Sequence, residues 1–257
     1  MKIVINVGKF ERQFADDLLD KPKVLLEIGD RPVLWHVMKH YAAYGYKDFI
    51  LMCNYKPYAV KEYFYHYALH QCDVTIDIKN RQVDTLSNDI DDWKVTIVDV
   101  GKETNTGGAL KKIRHLIGEE PFMYTYGDGI SDIDLDALLS RHIRHKKTIT
   151  ITSISASQKF GIIDFNDNGS VVGFREKDNL DSVVNGGYMV CNPDVFDLID
   201  DDPTTVFERE PMVSAVACHQ VTAYRHTGFW KSVDSYEDLE ELNAIWNSGR
   251  ATWGIKK

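Results

Sequence analysis

The four cysteines of this 257-residue chain, Cys53, Cys72, Cys191 and Cys218, lie far apart and form no C-x-x-C pair. Neither a zinc site nor a disulfide frame is signalled, and reduced, mostly buried thiols are expected. No charged-then-apolar leader and no run of about 18 apolar residues occurs, so secretion and membrane spanning lack support and a cytoplasmic protein is expected. Positive charge is in deficit as well, with 30 Lys and Arg against 39 Asp and Glu and a net charge of −9. A general nucleic-acid binder would present a basic face, so nucleic acid is not expected as a partner. A local phosphate pocket remains compatible, because a few cations suffice for it. Glycine is missing where it would be most useful. Ile3, Val4, Ile5 and Val7 read as a buried parallel strand, and Gly8 follows as a turn, but Lys9, Phe10, Glu11, Arg12 and Gln13 come next. A nicotinamide dehydrogenase needs G-x-G-x-x-G after that strand, and these positions exclude it.

What is present is an α/β pattern. With 44% apolar residues the chain can bury a full core, and strand-like and helix-like segments alternate steadily, which predicts one domain over 1–257. Pro32 opens a helix with Leu34, Val37, Met38 and Tyr41 on one face, ended by Gly45. Asp48 to Cys53 reads as the second parallel strand, and Tyr58 to Tyr67 as a helix whose aromatic residues serve packing. From Cys72 to Asp99 two alternating runs flank a polar stretch, Asn80 to Asp92, and predict a protruding β insertion at about 72–99 that folds over the site or onto a partner subunit. A homo-oligomer is therefore plausible.

Three later stretches bear on chemistry. Gly107 and Gly108 open a helix, which suits close backbone approach to an anion, or equally a simple turn with tight helix entry. Pro121 to Tyr126 is a buried strand ending in Gly127-Asp128-Gly129, which puts a carboxylate where open α/β sheets hold ligands and metals. Its alternative role, capping the helix that begins near Asp134, can be filled by Asp132 or Asp134 instead. A hairpin with an N-G turn at Asn168-Gly169 leads to Arg175-Glu176-Lys177, and Asn185-Gly186-Gly187 precedes another strand. Asp234 stands just before a final amphipathic helix carrying Leu239, Leu242, Ile245 and Trp246. Asp128 and Asp234 could hold one Mg²⁺, which takes few protein carboxylates and completes its shell with substrate phosphates. Lys23 and Lys177 could balance those phosphates, and the implied chemistry is phosphoryl or nucleotidyl transfer.

The segments Lys21-Pro22-Lys23, Glu27-Ile28-Gly29, TGGALKK, TYGDGISDID, FREK, NGGYMV, FEREPM and GFWKSVDSYEDLEELNAIW occur in this order. Together they resemble the sugar-phosphate nucleotidyltransferase family, and most closely its glucose-1-phosphate cytidylyltransferases, along essentially the whole chain. The resemblance implies a Rossmann-like three-layer α/β/α fold with a mixed, mostly parallel central sheet. It implies a Mg²⁺-dependent reaction in which a sugar 1-phosphate attacks the α-phosphorus of a nucleoside triphosphate, CTP favoured, and pyrophosphate leaves. By position, Asp128 and Asp234 resemble the metal-binding aspartates and Lys23 the phosphate-contacting lysine of the catalytic centre. Gly8, Gln13, Gly107, Gly108 and Gly127 resemble the nucleotide-binding residues, and Glu176, Lys177, Asn185 and Gly186 the wall that holds the sugar phosphate.

The departures are specific. The family loop after strand one is a glycine pair, any residue, then Gly-Thr-Arg, and here Lys9, Glu11, Arg12 and Gln13 replace the second glycine, the third glycine, the threonine and the arginine. Ala109 stands where the cytidylyltransferases tend to carry arginine, and Asp178 where proline is usual. Three readings stay open on the sequence: an enzyme whose rebuilt loop draws its charge from Arg12 or Lys9, a non-catalytic nucleotide- or nucleotide-sugar-binding paralogue with a regulatory or partner role, and a nucleotidyltransferase with a different phosphorylated acceptor.

Overall fold

The computed structural model describes residues 1–8, 21–86, 90–155, 162–165, 169–175 and 183–254. Its strands in chain order are β1 (Lys2–Val7), β2 (Glu27–Ile28), β3 (Arg31–Pro32), β4 (Asp48–Cys53), β5 (Val74–Asp77), β6 (Gln82–Thr85), β7 (Lys94–Asp99), β8 (Phe122–Tyr126), β9 (Gly129–Ser131), β10 (Ile149–Ser155), β11 (Ile162–Phe165), β12 (Val171–Arg175), β13 (Val183–Cys191), β14 (Val221–His226) and β15 (Trp230–Ser232). The α-helices are α1 (Val33–Ala43), α2 (Pro57–Tyr65), α3 (Tyr67–Gln71), α4 (Thr106–Lys112), α5 (Arg114–Ile117), α6 (Leu135–His145), α7 (Glu210–Ala217) and α8 (Tyr236–Asn247).

Nine strands form one sheet, in the order β12-β11-β13-β8-β1-β4-β7, with β10 joined to β13 and β14 to β10. β1 lies between β4 and β8, parallel to both, and β7 continues the parallel block. Following the pairings outward, β1, β4, β7, β8, β10, β11 and β14 run in one sense and only β12 and β13 run against it. The sheet is therefore mixed and mostly parallel, as expected. The near-continuous apolar run of β1 has its reason here: Ile3, Ile5 and Val7 pack into one core with α1, α6 and α8, while Val4 packs into a second core with α4, α5 and α7. Alternate side chains of a strand point to opposite faces, so a central strand covered on both sides has no polar face to show. Among the described residues, no helix is long and apolar enough to cross a membrane.

The region at 72–99 corrects the sequence reading. The hairpin is confined to β5 and β6, and Lys94–Asp99 is the edge strand of the main sheet, pairing residue for residue with Asp48–Cys53. Gln82 to Thr85, inside the expected polar stretch, forms the returning strand, after a turn in which the Asn80 amide donates to Asp77 at 2.9 Å. Alternation in the run WKVTIVDV marks a strand with one more exposed face, and this is equally the mark of a sheet edge and of a hairpin. The partner is set by packing: Val95 and Ile97 lie against the core shared with β4.

Asp134 caps α6, its carboxylate accepting the Ala137 amide at 2.9 Å. This removes helix capping as an explanation for Asp128. Asp134→Ala should lower the unfolding free energy by about 1 kcal/mol, the usual value of an N-cap, measured by urea denaturation with an unchanged m value.

Candidate active site

The site grows from the carboxyl ends of β1 and β8. These strands are parallel and in register, with Asn6 beside Tyr126, and the Gly127 amide donates to the Asn6 carbonyl at 3.0 Å. A Cβ on Gly127 would fall 2.9 Å from Val24 Cγ1. Glycine there lets the Lys21-Pro22-Lys23 segment lie against the end of the sheet. Pro22 opens a 3₁₀ turn over Lys23–Leu25, closed by the Leu25 amide on the Pro22 carbonyl at 2.8 Å. The turn aims Lys23 inward, and its side chain is only 7% exposed.

Asp128 and Asp234, more than a hundred residues apart in sequence, are brought together by a two-stranded antiparallel ribbon. β9 pairs with β15, Gly129 opposite Ser232, and one step further the Val233 amide donates to the Asp128 carbonyl at 3.0 Å. The Asp128 and Asp234 side chains, each 26% exposed, both face Lys23: its Nζ is 2.6 Å from Asp128 Oδ2 and 3.5 Å from Asp234 Oδ1. The other Asp234 oxygen accepts from Ser232 Oγ. Residues i and i+2 of a strand share a face, which is why Ser232 reaches Asp234. The next residue, Ser235, caps α8 in a reciprocal box with Asp238, so the chain leaving Asp234 is fixed as well. At its far end the ribbon is held by Asp132, which accepts the Phe229 amide at 2.8 Å and lies 3.2 Å from His226 Nε2.

Among the described residues, two carboxylates meet one buried ammonium in front of the sheet. The donor set suits a hard divalent cation with oxygen ligands. Among the described residues no group of three or more His, Cys, Asp and Glu side chains is arranged to hold a metal. A pair of carboxylates fits an ion that draws its other ligands from phosphate and water.

Asn185 and Gly186 are tied to the same centre. β13 bulges here, for Ile151 pairs with Met189 but Ser153 with Asn185. Gly187 has φ +77°, and a Cβ on it would lie 2.5 Å from the ring of Tyr126. The Gly186 carbonyl accepts from Trp230 Nε1 at 2.8 Å, and Asn185 Oδ1 accepts the Gly187 amide at 2.9 Å. The bulge thus rests on the strand that delivers Asp128 and on the ribbon that delivers Asp234.

Of the two readings given to Gly107 and Gly108, the geometry fits the tight helix entry. Both amides donate to the Thr205 carbonyl, at 2.9 and 3.2 Å, so neither is available to an anion. A Cβ on Gly108 would fall 2.3 Å from the Pro203 carbonyl oxygen, and one on Gly107 2.9 Å from that of Thr205. The pair is in close backbone contact with residues 203–207. Gly8 differs, since a Cβ there meets no described atom within 4 Å. Lys9, Glu11, Arg12, Gln13, Glu176, Lys177 and Asp178 lie outside the described residues.

The sequence reading missed the brace between these parts. Glu208 accepts from Thr106 Oγ1 at 2.6 Å and from the Tyr126 hydroxyl. Burial, and then the charge of Glu208, hold the Tyr126 phenol well above its ordinary pKa, so it remains a donor. FEREPM was visible as a motif, but nothing local says that its first glutamate meets a tyrosine 82 residues earlier. A cleft of about 950 Å³ runs beside the Lys21-Pro22-Lys23 segment, lined by Lys21, Arg31, Tyr58, Tyr63 and His70 among others, and contains none of Lys23, Asp128 and Asp234.

Comparison with known proteins agrees with this architecture. The sequence profile of the nucleotidyl transferase family matches residues 19–250, beginning just past the altered loop. The chain belongs to the nucleotidyl transferase family and is a nucleotidyltransferase. It is 40% identical over 255 residues to the glucose-1-phosphate cytidylyltransferase of Salmonella typhimurium, covering 98% of each chain. It is 37% identical over 255 residues to a probable glucose-1-phosphate cytidylyltransferase of Bacillus subtilis, covering 99% of this chain and 100% of that one. Among solved structures, a UDP-glucose pyrophosphorylase from Acinetobacter shares the fold with a TM-score of 0.78, at 17% identity and over 98% of this chain and 95% of that one.

Proposed function

We propose that this nucleotidyltransferase transfers CMP from CTP to a sugar 1-phosphate, glucose 1-phosphate first among candidates, with Mg²⁺ as the cation. A phosphate oxygen of the sugar 1-phosphate forms a bond to the α-phosphorus of CTP, the bond from that phosphorus to the bridging oxygen of the β-phosphate breaks, and pyrophosphate leaves with the electron pair. The observation that carries the reading is the convergence of Lys23, Asp128 and Asp234 at the carboxyl end of the parallel block. Sequence identity to the two cytidylyltransferases over nearly their whole length supports the choice of base and acceptor.

In this reading Asp128 and Asp234 hold the cation, which when bound shields phosphate charge and polarises the phosphorus under attack. Lys23 supplies positive charge to the phosphates. The bulge at Asn185 and Gly186, together with Glu176 and Lys177, orients the sugar phosphate, and Tyr126 beneath Gly187 keeps that wall in register with Asp128. Gly8 and Gln13 border the triphosphate, with Arg12 or Lys9 providing the charge of the family's missing arginine. Gly127 acts indirectly, by letting the Lys23 turn approach.

The test is pyrophosphate release by the pure protein with Mg²⁺, each of the four nucleoside triphosphates and a panel of sugar 1-phosphates. CTP with glucose 1-phosphate should exceed other pairs by about tenfold or more in kcat/KM, and chelation of the cation should stop release. No release from any pair by the folded protein would overturn the proposal.

A further inference from the structure

We propose that Lys23 is the resident occupant of the divalent-cation position, and that the cation binds only by displacing it. The inference rests on Asp128 and Asp234 being the cation's carboxylates. The Lys23 ammonium stands in front of both, 2.6 Å from Asp128 Oδ2 and 3.5 Å from Asp234 Oδ1. A small divalent ion drawn to the two carboxylates would compete with the ammonium for the oxygens it now holds, Asp128 Oδ2 and Asp234 Oδ1. The lysine side chain is 7% exposed while its partners are 26% exposed, so the ammonium is the inner member of the group. Its backbone belongs to a closed 3₁₀ turn, with the Leu26 amide on the Lys23 carbonyl at 3.1 Å, and that turn packs Val24 against Gly127. The flexible four-carbon stem is the part that moves most readily.

An ammonium leaving two carboxylates needs a new anionic partner, and the phosphates of the incoming nucleotide provide one. A free divalent ion offers none. It must move a buried ammonium off both carboxylates with no phosphate to receive it and therefore binds more weakly than a cation arriving with a triphosphate, which exchanges places with Lys23 while Lys23 moves onto phosphate. Because coupling between two ligands is reciprocal, the same exchange favours nucleotide binding when the cation is present. The lysine keeps the two aspartates aligned before substrate arrives and contributes to phosphate binding afterwards.

The test uses full-length protein stripped of metal, with free Mn²⁺ as probe and electron paramagnetic resonance as readout. Lys23→Met keeps an unbranched stem and removes the charge. It should bind free Mn²⁺ at least about tenfold more tightly than wild type, because both carboxylates are then uncompensated. Without metal it should melt below wild type, and Mn²⁺ should restore the loss. Affinity no greater than that of wild type would overturn the proposal. A measurement on the unaltered protein stands beside it if the variant does not fold: saturating Mn²⁺ without nucleotide should speed acetylation of the Lys23 amine, followed by peptide mass spectrometry, about fivefold or more as the group is expelled to solvent. Unchanged or slower labelling would overturn it equally. Failure here while pyrophosphate release still requires a divalent cation removes the Lys23 exchange alone, whereas release that survives chelation removes the cation assignment beneath it.

Discussion

Asp128→Asn should reduce kcat for pyrophosphate release by a factor on the order of a hundred to a thousand or more, with the melting transition close to that of wild type. The size follows from losing a charge aimed at the reacting phosphates in a partly desolvated site, where a single such contribution is worth that much. Asparagine keeps the shape of the side chain and removes one of the two carboxylates that face Lys23. The fold should tolerate it, since the main-chain bond that closes the ribbon, from the Val233 amide to the Asp128 carbonyl at 3.0 Å, does not involve the side chain. The remaining Asp234 still pairs Lys23, so the ammonium is not left alone. The measurements are steady-state kinetics and thermal denaturation on the same preparation. Activity within a few-fold of wild type would show that Asp128 holds no cation, and a collapse in stability would show its role to be structural. Because one ribbon holds both aspartates and both face the same ammonium, Asp234→Asn should behave alike, and the double variant should cost little more than either single one, as for residues acting as a unit.

Those two aspartates were legible because their signals are local. A buried strand ending in Gly-Asp-Gly and an aspartate before a capped amphipathic helix can each be read from a dozen residues. The same holds for β4, found over Asp48–Cys53 as expected, and for α1, whose Leu34, Val37, Met38 and Tyr41 are all buried. What could not be read was which pieces meet. Val95 and Ile97 flank the polar Thr96 as in a hairpin strand, yet β7 is an edge of the main sheet, since only the long-range packing chooses its partner. The Tyr126–Glu208–Thr106 brace joins three segments that no periodicity connects. The glycines at 107 and 108 were read by their type, and a glycine before a helix looks the same whether a ligand or the protein's own backbone approaches it.

That last ambiguity yields the second large effect. Gly108→Ala should destabilise the protein by about 3 kcal/mol or more, lowering Tm by roughly 10 °C, without a selective rise in the KM for CTP. A Cβ at this position would stand 2.3 Å from the Pro203 carbonyl oxygen and 2.6 Å from the carbon bearing it, and these are backbone atoms with no rotamer to yield. Relief requires residues 203–205 to move away, which breaks the bonds from the Gly107 and Gly108 amides to Thr205 and from the Asn105 amide to Pro203 at 2.8 Å. It also pulls on Glu208, and through it on Tyr126, so whatever activity the folded fraction retains should fall in kcat. Gly8→Ala is the contrasting case: its Cβ meets no described atom within 4 Å, and stability should stay within about 0.5 kcal/mol. Thermal denaturation and CTP saturation curves on the two variants separate the possibilities. A Gly108→Ala protein that melts like wild type but binds CTP poorly would return that glycine to the nucleotide. A shift in Tm at Gly108 and none at Gly8 would place the strict backbone constraint at the contact between α4 and residues 203–207, away from the Lys23 centre.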